Sequence, residues 1–99
     1  MEEKKYFFLK LIPSRPTFAQ DMTEAEKGIM MQHVAYWADL LNKGIAIVFG
    51  PVMDPKGTHG IGIVAVDNEG EVNLITANDP AAKLNKYEIL PMARAIHKK

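Results

Sequence analysis

The chain has 99 residues, twelve of them basic and twelve acidic, with 47% apolar residues and no cysteine. That length supports one domain, residues 1–99, with a single core, and it leaves much of the surface of a lone copy in water. Charges that cancel without a long block of either sign exclude an electrostatic footprint for nucleic acid or an anionic membrane, and the missing cysteines exclude disulfides, thiolate nucleophiles and thiolate metal sites.

The first residues are charged, and the apolar stretch behind them, Tyr6 to Ile12, contains Lys10 and ends at Pro13. It is too short for a signal peptide or a membrane span, so a soluble cytoplasmic protein is expected. Its aromatic and branched residues read as a first strand, stopped by Pro13-Ser14-Arg15-Pro16. Thr23-Glu24-Ala25-Glu26 is a capping box that opens a long helix, and Lys43-Gly44 is its stop. Ile29, Met30, His33, Val34, Trp37, Leu40 and Leu41 fall within one arc of that helix, which predicts an apolar face laid on a sheet. Ile45 to Phe49 is a second strand, apolar on both faces and ended by Gly50-Pro51. A loop with Asp54-Pro55-Lys56-Gly57 leads to a third strand, Gly60 to Val66.

Asp67-Asn68-Glu69-Gly70 reads either as a hairpin turn or as the start of a second helix, with Asn68 as N-cap and Glu71 three residues on. Asp79-Pro80 marks a break, and Lys86 to Leu90 is a last strand running to Pro91 and a basic tail. Taking the helical option, the order is that of an α+β ferredoxin-like βαββαβ fold: a four-stranded antiparallel sheet with two helices on one face. Strands apolar on both faces then need cover from a second chain, so a homodimer packed sheet against sheet is expected.

The "MTEAE" helix start, His33 in "QHVAYWADLLNKG", the "FGPVMDPKG" loop, the "GIGIVAV" strand, the "NDP" break and the "YEILPM" strand together resemble the YCII-related domain family, in this order and over nearly the whole chain. The resemblance implies a dimeric α+β barrel built on the ferredoxin-like unit, and it favours a helix after Asn68. It also implies an active-site pair, the family's His falling on His33 and its Asp on Asp79, and a relation to lyases or dehydrochlorinases acting on hydroxylated rings. Members often place a glycine soon after the Asp-Pro motif. This chain has none there, and Asn85 is expected to take the left-handed turn instead.

The residues can also be read without the family. An imidazole in the apolar arc is costly to bury unless its nitrogens find partners, so His33 needs one. Asp79 can supply it, fixing the tautomer and leaving the other nitrogen as a base. The plainer readings are a satisfied boundary histidine and an aspartate that only caps a helix. Trp37, Tyr36, Met30 and Met31 are more often core than a ligand platform, yet they can line an apolar pocket beside His33. Trp37, Met30, Gly50, Pro51 and His59 are the expected substrate contacts. For His59, beside Asp54 in a glycine-rich loop, the alternative is a surface histidine. His97 in the basic tail is expected to be solvated. Three histidines without close pairing predict no metal site, and the glycines of 57–62 lack a phosphate-loop pattern. The expected function is a small cofactor-free enzyme, lyase or isomerase in type, that moves a proton on a small cyclic or aromatic substrate through His33 and Asp79. The alternative is a module that binds or senses a small apolar ligand and does no chemistry.

Overall fold

Residues 3–98 are described by the computed structural model. Their elements run β1 (Lys5–Ile12), α1 (Phe18–Asp21), α2 (Glu24–Asn42), β2 (Ala46–Val52), β3 (His59–Val66), α3 (Glu69–Asn78), a 3-10 helix (Pro80–Lys83) and β4 (Lys86–Met92). The sheet order is β2-β3-β1-β4 with every neighbouring pair antiparallel, the ferredoxin-like arrangement. Period-two alternation turns Phe7 and Leu9 of β1 and Val64 and Val66 of β3 to one face, where Trp37 and Leu40 of α2 and Val72 and Ile75 of α3 close the core over them.

The ends of the helices follow from local chemistry. The Glu26 amide donates to Thr23 Oγ1 at 3.1 Å and the Thr23 amide to Glu26 Oε1 at 2.9 Å, which completes the capping box. The Arg15 guanidinium adds a fork to Glu26 at 2.8 and 3.0 Å. This fork, with the Thr23 amide, brings the Glu26 carboxyl down from 4.5 to about 2. Gly44 ends α2 with φ +77°, and a side chain there would meet no atom, so its requirement is purely backbone. Thr23→Ala should therefore cost about 1 kcal/mol, and Gly44→Val about 1–2 kcal/mol. Chemical melts read both values; a neutral Gly44→Val would mean that the helix does not end there.

The stretch after Asp67 is a helix, not a hairpin: Asn68 Oδ1 accepts from the Glu71 amide at 3.1 Å, and Val72 and Ile75 are buried. Other expectations need correction. A helical turn, α1, lies between β1 and α2; its polar residues hide a one-turn element whose anchor, Phe18, is buried. The apolar arc of α2 is narrower than expected: Trp37 and Leu40 are buried while Val34 and Leu41 are 53% and 43% exposed, because the buried stripe follows Met30, His33, Trp37 and Leu40. The second strand does not stop at Gly50-Pro51 but runs on to Val52, which proline permits because β2 is an edge strand. A register shift between Ala46 and Val48 separates its faces, so Ala46 and Phe49 join the core and Val48 is exposed. Asn85 is not left-handed, since no described non-glycine residue has positive φ; the chain rounds the end of the 3-10 helix through Leu84 and Asn85 amides donated to Ala81 O, both at 3.0 Å.

On the sheet face away from the helices, the register sets Tyr6 against Met92, Phe8 against Ile63 and Leu90, Lys10 against Ile61, and Ile12 against Lys86. Lys10 and Glu88 face each other as the polar pair among them. No described helix is long and apolar enough to cross a membrane.

Candidate functional site

Glycines make room beneath α2. A Cβ on Gly62 would lie 2.6 Å from two carbons of the Trp37 ring, so the indole is seated directly on the β3 backbone. Next to it a cavity of about 240 Å³ opens between sheet and helix. Leu9, Leu11, Phe18, Met30, Phe49 and Pro51 supply much of its hydrocarbon wall, and His33, His59 and Tyr87 are its titratable members. Among the described residues no lysine, arginine, aspartate or glutamate borders it.

His33, two turns into α2, reaches behind this wall to Asp79. Its Nδ1 lies 2.8 Å from Asp79 Oδ2 and 3.0 Å from Oδ1. The carboxylate is also the acceptor for three other groups: the Trp37 indole N–H at 3.0 Å, the Ala81 amide at 2.9 Å and the Tyr87 hydroxyl. The indole N–H is shared with Tyr87 Oη at 3.1 Å. Asp79 thus both caps the 3-10 helix and gathers α2 and β4 around one charge. Its side chain is fully buried, whereas that of His33 is 13% exposed.

Burial pushes the Asp79 carboxyl up, but the hydrogen bonds from His33, Tyr87 and Ala81 outweigh it and hold the group below its ordinary value. It is therefore the anion, and a carboxylate can only accept, so His33 Nδ1 carries the proton and donates. Burial raises the phenols of both Tyr87 and Tyr36, followed for Tyr87 by its hydrogen bond to Asp79 and for Tyr36 by the Asp79 charge. Both remain O–H donors, Tyr36 to Ile75 O at 2.7 Å. His33 Nε2 has no partner among the described residues, and it is not among their sealed, unsatisfied atoms, which comprise Asn85 Oδ1 alone. A ring of this kind can take a proton at Nε2 while its Nδ1–H stays on the carboxylate.

His33 and Asp79 are in contact, and Trp37, Met30, Gly50, Pro51 and His59 all border the cavity. Asp79 itself does not: it stands behind His33. Trp37 serves as core, at 2% exposed, and as a donor to the site. His59 begins β3 and is not a surface-loop residue; its side chain is 13% exposed and its Nδ1 lies 3.9 Å from Asp54 Oδ2, outside hydrogen-bond distance. His97 is exposed with a ring-edge contact to Tyr6.

Sequence reasoning missed Tyr87, the Ala81 amide and the Phe18 strap. Tyr87 had one available signal, its two-residue spacing from Ile89 on the core face of β4. Among the described residues no group of three or more His, Cys, Asp or Glu could hold a metal ion.

No match is found among curated proteins. Residues 6–95 match the model of the YCII-related domain family, and with that span of the chain covered, the protein belongs to the YCII-related family.

Proposed function

We propose that the protein is a small cofactor-free enzyme in which His33 Nε2 takes a proton from a small cyclic or aromatic substrate, giving elimination or isomerisation. One observation carries this reading: Nε2 is unpartnered beside an apolar cavity while Nδ1 donates to a sealed carboxylate. The imidazolium formed on proton uptake would face the Asp79 anion, the arrangement that keeps a general base oriented and stabilises its charged form. An apolar cavity of about 150 Å³ holds benzene. The volume of about 240 Å³ here suits one substituted ring, and the absence of bordering cations disfavours carboxylate or phosphate substrates. Met30, Trp37, Gly50, Pro51 and His59 would contact the substrate, and a chain without cysteine suits the cytoplasm.

The second reading, a binding or sensing module, draws on the structural use of Asp79, which caps the 3-10 helix and holds Trp37 whether or not chemistry occurs. Incubating the protein in D₂O with a panel of small cyclic carbon acids, and following deuterium uptake by NMR, separates the two. The enzyme reading expects exchange that falls by about 100-fold or more in His33→Ala. Binding without exchange in the wild type would establish the module instead.

The proposed assembly is a homodimer through the free sheet face, where Val48 and Leu90 are 45% and 54% exposed beside Phe8, Ile61 and Ile63. Soluble monomers rarely expose contiguous apolar patches larger than about a few hundred Å². Light scattering at micromolar concentration should report twice the chain mass, and a well-behaved monomer would overturn the assembly.

A further inference from the structure

Asp79 has three side-chain neighbours that also border the cavity, His33, Trp37 and Tyr87, and the proposed function gives the last of them no part. We propose that Tyr87 is a positioning residue of the site: its hydroxyl, held between Asp79 Oδ2 and the Trp37 indole, keeps the Nδ1 proton on His33 by satisfying the carboxylate that would otherwise draw it away. This rests on the reading of His33 as the base.

The state of His33 depends on where the proton between it and Asp79 settles. When Nε2 is protonated, an imidazolium faces a carboxylate whose side chain is fully buried, and such a pair can collapse to neutral acid and neutral imidazole. The Nδ1 proton then passes to Asp79, and His33 loses the charge that the reaction needs. Each additional donor to the carboxylate opposes this, because hydrogen bonds to the charged form favour it. Ala81 supplies one from the backbone at 2.9 Å and Trp37 shares one at 3.0 Å, while Tyr87 adds a hydroxyl aimed at the same oxygen that His33 approaches at 2.8 Å. Tyr36, the other ionisable group beside the pair, spends its proton on Ile75 O. Tyr87 also stands as wall between the cavity and Asp79, so ligand can reach the carboxylate only by displacing one of its donors.

The test is made on the ligand-free protein, so its outcome is independent of whether a substrate is found. The Asp79 carboxyl is followed by ¹³C NMR as pH is lowered, in the wild type, in Tyr87→Phe and in protein carrying 3-fluorotyrosine at position 87, a stronger donor of nearly the same size. The carboxyl midpoint should rise in Tyr87→Phe and fall with fluorotyrosine, and the His33 Nδ1–H resonance should broaden in Tyr87→Phe. A role in packing alone predicts no such opposite movement. Overlapping carboxyl titrations in the three folded proteins would overturn the proposal, even if Tyr87→Phe melted at lower temperature.

Discussion

Asp79→Asn should lose about 3–5 kcal/mol of stability together with any turnover, because the substitution removes one acceptor oxygen from beneath donors of four residues. From sequence, this change is expected to spare the melting temperature, since asparagine keeps the shape of the side chain. With Trp37, Tyr87 and Ala81 also donating to it, the side chain is a junction of α2, β4 and the 3-10 helix. The Asn amide would point N–H groups at N–H and O–H donors, and His33 would lose the anion that fixes its tautomer. A pH signature accompanies the loss. Burial raises the Asp79 carboxyl and its hydrogen bonds overcompensate, so in the fold it lies below 3.8. A depressed carboxyl contributes stability that is fully present above the unfolded value and is lost as pH falls through the folded value. Denaturant melts between neutral pH and pH 3 should show that component in the wild type and lack it in Asp79→Asn. A variant as stable as the parent at neutral pH would show that the carboxylate is not a junction.

Gly62→Ala should cost about 2–3 kcal/mol, a large effect for one methyl group. The added carbon would sit 2.6 Å from Trp37 Cη2 and Cζ3, and neither side can yield cheaply. On one side is the central β3 backbone, paired to both β1 and β2. On the other is an indole tied through its N–H to Asp79 and Tyr87 and packed on Phe49 with ring centroids 6.0 Å apart. Moving the ring would pull a donor from the carboxylate, so the variant should also shift the His33 ring resonances. Gly60→Ala gives the comparison: its Cβ would meet Leu11 at 3.5 Å, an ordinary contact. Equal stabilities of the two variants would remove Trp37 from its seat on Gly62.

Features written in neighbouring residues were legible in the sequence. The Thr23–Glu26 box, the Asn68 cap with Glu71 and the Gly44 stop each need only a short stretch of chain, and the ferredoxin-like order follows once the helix after Asn68 is accepted. Features that depend on distant strands were not. The register shift in β2 and the exposure of Val34 depend on how the sheet twists beneath α2, which no local pattern records. The site lies between these cases. His33 on an apolar face announces a need for a partner, but its assignment to Asp79 came from the family resemblance, since the two are joined only by topology. Tyr87 carries one local mark, its spacing from Ile89, and that says only which face of β4 it lies on; its hydroxyl meets Asp79 because β4 pairs beside β1 and brings position 87 to the end of α3.

In the proposed function, neutral His33 holds its proton on Nδ1 against Asp79 and offers a bare Nε2 to the cavity. Long-range ¹H–¹⁵N correlation of the His33 ring, recorded where the imidazole is neutral, reads this directly. The expected result is a protonated, pyrrole-type Nδ1 and an unprotonated, pyridine-type Nε2 whose resonance moves when a small cyclic ligand enters the cavity. A neutral ring with its proton on Nε2 would contradict it, because that nitrogen could then only donate and the site would have no base.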